Sequence, residues 1–199
     1  MKVDGLKNVD YLVEKQKQIL AFDENKDLNE YKKELKAKFI ELAGIDLIEA
    51  NSCAPEFEIE KEEQKDGYKQ IRFTFKSEAE EVVPCYLLVP NDSEGKKLPV
   101  VVTLQGHSTG FHNSINEPKD NADAEYCKRG QFAVQAVKRG YIALAIEQRG
   151  MGERKGDITD KNRRITVMDA RNAADYYQQM TNILMGRTLI GGRCVDISK

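Results

Sequence analysis

The sequence contains only two histidines, His107 and His112, among its 199 residues. Both lie within four residues of Ser108, and no histidine follows His112. Hydrolysis at a Ser-His-Asp site requires an imidazole beside the serine and a carboxylate that orients this imidazole from behind. We therefore expect no complete triad in this sequence, because neither histidine is placed to act as a base braced by a carboxylate.

Paired cysteines are also missing. The four cysteines are scattered without a C-x-x-C motif, and the histidines are too few for the usual zinc spacings. The sequence therefore predicts no metal site and no cofactor, and its free thiols indicate a reducing, cytoplasmic location. The cysteines are Cys53, Cys85, Cys127 and Cys194.

Neither a strong net charge nor a long hydrophobic run is present. The formal net charge is −2, which offers no attraction for nucleic acid or for an anionic membrane. No apolar run approaches the ~20 residues of a membrane span. The first ten residues carry acids where a signal peptide would have its apolar core. We expect neither nucleic acid nor a membrane as a partner.

Two helices are predicted at the N-terminus. Apolar residues recur at helical spacing over residues 9–20. A second helix follows Asp27, which begins a capping-box pattern, and Gly44 is placed to end it. We interpret residues 1–50 as a helical extension and residues 51–199 as the main domain.

The first strands of the main domain are predicted to be antiparallel. Residues 45–67 are acidic and irregular, whereas residues 68–76 alternate between apolar and polar side chains, as in a half-buried strand. Residues 82–90 form a second strand, in which Pro84 indicates an edge position or a bulge.

The next two strands are of another kind. Residues 99–104 and 141–146 are continuous apolar runs, which are typical of parallel strands buried on both faces. A helical pattern at 131–139, stopped by Gly140, lies between them and completes a β-α-β unit. The pattern predicts an α/β doubly wound sheet with an antiparallel start followed by parallel strands.

The C-terminal region is predicted to be helical. A long helix is expected over residues 167–184, and a second helical pattern at 193–199 follows interruptions at Gly186 and at Gly191–Gly192. A parallel sheet with two buried strands would keep one edge uncovered. We expect the chain to be incomplete, the front part of a larger fold.

One loop reads literally as a serine-hydrolase motif. Gly106-His107-Ser108-Thr109-Gly110 matches G-x-S-x-G, which makes Ser108 a candidate nucleophile. A nucleophile elbow needs a strand before the serine and a helix immediately after it. The strand is predicted, but residues 111–118 are turn formers without a helical period.

The order of several motifs is more informative than this loop. Pro99–Gly106 is followed by His107, and the apolar run 141–146 is followed by Glu147 and an Arg-Gly-x-Gly motif at 149–152. This order resembles the front half of an α/β-hydrolase, most similar to the dienelactone-hydrolase-like and acetyl-xylan-esterase-like branch. The resemblance covers roughly residues 68–199, and residues 186–196 resemble the helix that precedes the nucleophile strand of that family.

The resemblance implies a role in ester hydrolysis. In the family, the segment matched by Gly106 and His107 forms half of the oxyanion hole, with the backbone N–H of His107 as donor. The nucleophile strand, the acid and the histidine come later in the family than the last residue of this chain. The resemblance therefore implies a serine-esterase lineage that acts on small acyl esters such as acetylated sugars, uses no cofactor, and is inactive as this chain alone.

Three interpretations of the loop remain open. It is an oxyanion loop, a true elbow with Ser108 as nucleophile, or a polar loop whose side chains satisfy its own turns. The absence of a following helix and of a placed base favours the oxyanion loop. In that interpretation, the His107 imidazole and the Ser108 hydroxyl line the mouth of the pocket.

Two alternatives to an esterase belong to other functional classes. In the first alternative, the chain is a non-catalytic binding partner that pairs its open sheet edge with another copy or with a complementing chain. In the second, it is a nucleotide-binding domain, an interpretation suggested by Gly150-Met151-Gly152 after a buried strand. That match is weak, because Lys155 stands where the dinucleotide fingerprint has its third glycine.

Overall fold

The computed structural model describes residues 4–106, 110–156 and 174–199. The chain forms two compact units, Met1–Phe39 and Ile40–Lys199. The predicted site residues His107 and Ser108 lie outside the described residues, as does the first part of the predicted helix 167–184.

Two helices follow one another at the N-terminus. Helix α1 (Lys7–Lys15) ends earlier than its apolar pattern predicted, and none of its residues is buried. Helix α2 (Leu28–Ala43) begins as predicted, because the Asp27 carboxylate accepts the backbone N–H groups of Asn29 and Glu30 at 3.0 and 2.9 Å. Gly44, with φ +66°, ends it.

The sequence predicted an irregular segment after Gly44, but the structure shows regular elements there. This segment contains the short helix α3 (Ile45–Glu49) and the strand β1 (Phe57–Lys65). Strand β1 is mostly exposed, so its sequence lacks the alternation that marks a half-buried strand. Its place in the sheet is set by antiparallel pairing with the next strand.

A five-stranded sheet organises the larger unit. The strands are β1, β2 (Tyr68–Glu78), β3 (Glu81–Pro90), β4 (Val100–Thr103) and β5 (Ile142–Ile146), in the spatial order β1-β2-β3-β5-β4. Pairing is antiparallel from β1 to β5, and β4 runs parallel to β5. The sheet confirms the predicted antiparallel start, the parallel pair and the fold class.

Pro84 lies in an internal strand, which corrects the predicted edge or bulge. Strand β3 pairs with β2 on one side and β5 on the other, and its register with β5 begins at Cys85. The Pro84 carbonyl accepts the N–H of Glu147, but Pro84 has no N–H to return. The Glu147 carbonyl instead accepts a hydrogen bond from Arg154 Nη1 at 2.8 Å. This guanidinium therefore replaces the bond that the proline cannot make.

The remaining helices include elements that the sequence pattern did not show. Residues 111–118, predicted to be turns, contain the four-residue helix α4 (His112–Ile115). Gly191 and Gly192 do not interrupt a helix but lie inside α8 (Leu189–Ser198), and the hydroxyl of the preceding Thr188 accepts the N–H of Gly191. The others are α5 (Asn121–Arg129), α6 (Phe132–Val137), a 3-10 helix (Gly152–Lys155) and α7 (Ala174–Leu184).

The hydrophobic core has a cluster on each side of the sheet. One cluster packs Phe111, Ile115 and the inner face of α6 on β3 and β5, and the other joins Phe75, Val83, Cys85 and Ile146. Strand β4 is less covered than its apolar run predicted. Val100, Val102 and Leu104 keep 56, 43 and 40% of their surface exposed. Within the described ranges, no helix combines the length and the apolar character needed to cross a membrane.

Candidate active site

The candidate site lies at the carboxyl ends of the two parallel strands. Strand β4 leads into Gln105 and Gly106, and β5 leads into Glu147. Because β4 and β5 run parallel, both segments leave the sheet at the same edge. In open α/β sheets this edge is where ligands bind. The strands therefore bring Gly106 and the Glu147 carboxylate to the place where chemistry is expected.

Glu147 holds both ends of the loop that carries the G-x-S-x-G motif. Its side chain is fully buried. Its Oε1 atom accepts Gln105 Nε2 at 2.5 Å, before the loop, and the backbone N–H of Phe111 at 3.2 Å, after it. Its Oε2 atom accepts the backbone N–H of Glu153 at 3.3 Å. One carboxylate thus fixes the start and the end of the segment that contains residues 107–109.

Burial also changes the acidity of this carboxylate. Removal from water raises the pKa of Glu147, and the N–H groups of Glu153 and Phe111 oppose the increase only in part. The net pKa lies above the ordinary glutamate value. As a consequence, Glu147 holds its proton to a higher pH than an exposed glutamate does.

Two glycines make room for this carboxylate. A Cβ at Gly152, where φ is +48°, would lie 1.9 Å from Glu147 Oε2. A Cβ at Gly110, where φ is +145°, would lie 2.8 Å from the same oxygen. The closing glycine of the G-x-S-x-G motif and the last glycine of the Arg-Gly-x-Gly motif therefore share one physical function, the close approach of backbone to Glu147.

A buried imidazole and carboxylate form a second feature beside the loop. His112 Nε2 lies 2.6 Å from Asp123 Oδ2, and the backbone N–H of Lys119 donates to the same oxygen at 3.0 Å. Burial, followed by the Lys119 charge, lowers the pKa of His112, although Asp123 opposes this change. The expectation that no carboxylate braces an imidazole in this chain was therefore wrong.

Only a weak signal for this pair is present in the sequence. Asp120 caps helix α5 by accepting the N–H of Asp123 at 2.8 Å, which fixes the first turn of that helix. His112 reaches it from α4, a helix that has no periodic pattern in the sequence. The contact joins residues of two short helices whose packing angle no sequence pattern supplies.

Cys127 lies beside this pair and is a third potential metal ligand. It lies four residues after Asp123 on α5, so both side chains are on one face of that helix. The candidate ligand atoms of His112, Asp123 and Cys127 all lie within 4.8 Å of one another. The described residues therefore include a buried nitrogen, oxygen and sulfur set of the kind that binds transition metals.

A cavity of about 330 Å³ adjoins the start of the loop. This is at the lower end of the usual volume for small-molecule sites. Polar groups converge on it from the loop and from α4, and aromatic rings contribute apolar surface. The lining residues are Gln105, Gly106, Asn113, Ser114, Tyr126, Arg129, Gly130 and Phe132.

Arg149 has a structural role. It donates to Asp196 Oδ1 at 2.6 Å and to Glu78 Oε1 at 2.6 Å, and all three side chains are buried. Arg154 Nη1 also donates to Asp196, at 2.7 Å. These ion pairs fasten α8 to β2 and to the 3-10 helix that carries Gly152.

The sheet order and the loop held at the ends of β4 and β5 define the class of protein. Residues 3–195 match the model of the Abhydrolase family, and the chain belongs to this family. The match confirms the α/β-hydrolase resemblance of the sequence. No curated protein matches the chain.

Solved structures add the fold of longer proteins. A candidate acetyl xylan esterase from Bacteroides fragilis superposes with a TM-score of 0.72 at 17% identity, over 98% of this chain and 48% of that one. The chain thus spans about half the length of this structural relative. A methylesterase matches 91% of this chain and 35% of its own, at 17% identity and a TM-score of 0.46.

A third similar structure is acetyl xylan esterase 1 from Thermoanaerobacterium sp. It matches 76% of this chain and 41% of its own length, at 14% identity and a TM-score of 0.44. The two lower scores carry no argument, and the first shows that the fold is shared.

Proposed function

We propose that this chain provides the oxyanion-loop part of a serine esterase that acts on small acyl esters, with acetylated sugars as the substrate class. The observation that carries the proposal is the double attachment of the loop. Gln105 before it and Phe111 after it both bond to the buried Glu147 carboxylate. Such an attachment keeps backbone donors in one place, which is the requirement for stabilising a developing oxyanion.

The proposed chemistry assigns a role to two residues of the loop. The backbone N–H of His107 donates to the carbonyl oxygen of the ester while a serine attacks the carbonyl carbon. The bond from that carbon to the alcohol oxygen then breaks, the alcohol leaves with the proton of the serine, and the acyl group stays on the serine. Gly106 adds no side chain where this oxygen approaches. Loss of one such donor typically costs a factor of about 10²–10³ in rate.

The adjoining cavity supports a small acyl group as the substrate's reacting part. Its volume of about 330 Å³ suits an acetyl group with part of a sugar better than a long acyl chain. Tyr126 and Phe132 offer faces on which a sugar ring can stack, and Gln105 and Asn113 offer hydrogen bonds.

A binding experiment tests this function without requiring turnover. Titration of the ¹⁵N-labelled chain with an acetylated xylo-oligosaccharide is expected to shift the amide signals of Gly106 and Gly110. The signal of Gly67, in the β1–β2 turn, is the internal control. A Glu147→Gln variant should bind more weakly, because its amide has one acceptor oxygen where the carboxylate has two for the donors of Gln105, Phe111 and Glu153. Unchanged loop signals at saturating ligand would contradict the proposal.

Turnover by this chain alone is expected to be negligible. The motivation is that α4 begins four residues after Ser108 instead of directly after it, and that no histidine follows His112 in this sequence. The measurement is release of nitrophenol from nitrophenyl acetate, compared with a Ser108→Ala variant. Turnover that disappears in this variant would establish Ser108 as a nucleophile and restore the elbow interpretation.

A second candidate function is favoured by the exposed side chains of β4. Val100 and Val102 alternate along the strand and so lie on one face, and among the described residues β4 pairs with β5 alone. We propose that this outer strand pairs with a strand of another copy or of a complementing chain, a common mode of association at sheet edges.

Light scattering and hydrogen exchange test the pairing. We expect the molar mass from light scattering to correspond to a dimer of the chain, and Val102→Lys should reduce it to that of a monomer. Val82→Lys is the matched control, because Val82 is similarly exposed at 45% but lies in the internal strand β3. A monomer whose β4 amides are fully protected from exchange would rule this function out.

A further inference from the structure

We propose that His112, Asp123 and Cys127 form a binding site for a divalent transition-metal ion of the zinc type. The three residues retain only 5, 4 and 1% of their surface exposure. Their ligand atoms lie within 4.8 Å of one another, so a single ion can reach all three after small side-chain movements.

The elements that carry the ligands hold them on facing surfaces. Asp123 and Cys127 are one turn apart on α5, and His112 is on α4, which packs directly against α5. Asn113 Oδ1 lies 3.0 Å from Cys127 Sγ and is a fourth candidate ligand atom. The set of one nitrogen, one sulfur and two oxygens matches the tetrahedral coordination of zinc.

The charges of this set balance those of a dipositive ion. A neutral imidazole, a carboxylate and a thiolate together carry −2, so the bound site is neutral overall. Neutrality matters because the site is buried, where an uncompensated charge is costly. The backbone N–H of Lys119, which donates to Asp123 Oδ2 at 3.0 Å, orients the carboxylate as outer hydrogen bonds do in metal sites.

Binding requires a defined rearrangement of protons and side chains. The Cys127 thiol, which contacts Asn113 Oδ1, loses its proton to solvent, and His112 carries its remaining proton on Nδ1 so that Nε2 can donate its lone pair to the ion. Ligand atoms about 2.0–2.3 Å from zinc lie about 3.3–3.8 Å apart. The separation of His112 Nε2 from Asp123 Oδ2 must therefore open from 2.6 Å by roughly 1 Å.

Titration of the reduced full chain with Co²⁺ tests the site. We expect one equivalent to give the visible bands of tetrahedral cobalt and a near-ultraviolet thiolate-to-cobalt band, both removed by one equivalent of Zn²⁺. Cys127→Ser should abolish the thiolate band. Cys194→Ser, at a half-buried cysteine elsewhere on the chain, should preserve it. Asp123→Asn should weaken Co²⁺ binding by more than the 10–100-fold typical of outer hydrogen-bond partners.

A measurement on the unaltered chain removes any ambiguity from misfolded variants. Zn²⁺ should shift the ring ¹⁵N signals of His112 and leave those of His107 unchanged. The absence of a thiolate band, or equal shifts for both histidines, would overturn the proposal and assign the cluster to hydrogen bonding alone. This outcome is independent of ester binding, because the readout involves no substrate.

Discussion

Replacing Asp196 by asparagine is expected to lower the free energy of unfolding by about 3–5 kcal/mol. The buried Asp196 carboxylate accepts Arg149 at 2.6 and 2.9 Å and Arg154 at 2.7 Å. The neutral amide would leave two buried guanidinium groups with part of their charge uncompensated, which costs more than the pair contributes. Urea unfolding at pH 7, followed by circular dichroism, measures the change.

A surface substitution provides the comparison. Glu125 pairs with Lys128 at an exposed position, so Glu125→Gln should change stability by less than about 1 kcal/mol. A change of similar size for Asp196→Asn would contradict the proposed importance of the buried pairs.

The acid sensitivity of the protein should change with the same substitution. Burial acts to raise the pKa of Asp196, but hydrogen bonds and charges from Arg149 and Arg154 outweigh it, and the net pKa is lowered. A lowered folded pKa stabilises the protein above the unfolded pKa, and this stability is lost as pH falls through the folded value. Stability should therefore decline less on acidification in Asp196→Asn than in the unaltered protein.

Gly152→Ala is expected to destabilise the protein by about 2–5 kcal/mol. The left-handed backbone, with φ +48°, costs roughly 1–2 kcal/mol for alanine. A Cβ placed 1.9 Å from Glu147 Oε2 must also displace a buried carboxylate, and overpacking of this kind costs about 1–3 kcal/mol more. Chemical unfolding measures the sum, and the amide signals of Gly106 and Phe111 report whether the loop moves.

Gly140→Ala separates the two contributions. Gly140 has φ +84°, but a Cβ there would meet nothing within 4 Å. This variant should show only the backbone cost, with unchanged loop signals. Equal effects of the two substitutions would show that the space beside Glu147 has no special importance.

The fold was largely predictable, because it rests on local patterns. The alternation in β2, the capping of α2 by Asp27 and the helix between β4 and β5 are all carried by neighbouring residues, and the structure confirms them. The order of Glu147 and the Arg-Gly-x-Gly motif indicated the family, which the match over residues 3–195 confirms.

The errors concern residues whose environment is made by distant parts of the chain. Gly191 was assigned to a break, yet a Cβ there would lie 2.2 Å from the carbonyl oxygen of Ala43, so the glycine permits close packing of α8. The pattern predicts an edge position or a bulge at Pro84, yet β3 is internal and Arg154 donates to the Glu147 carbonyl that faces Pro84. Neither partner is visible from the neighbours of these residues in sequence.

Arg154 connects α8 to the candidate site through hydrogen bonds. Its Nη1 atom donates hydrogen bonds both to the Asp196 carboxylate and to the Glu147 carbonyl. The side chain of that same Glu147 clamps both ends of the loop. A displacement of α8 is therefore transmitted through Arg154 and Glu147 to Gln105 and Phe111, at the two ends of the loop. We therefore expect any ligand, partner or substitution that shifts α8 to change the geometry of the loop without contacting the loop.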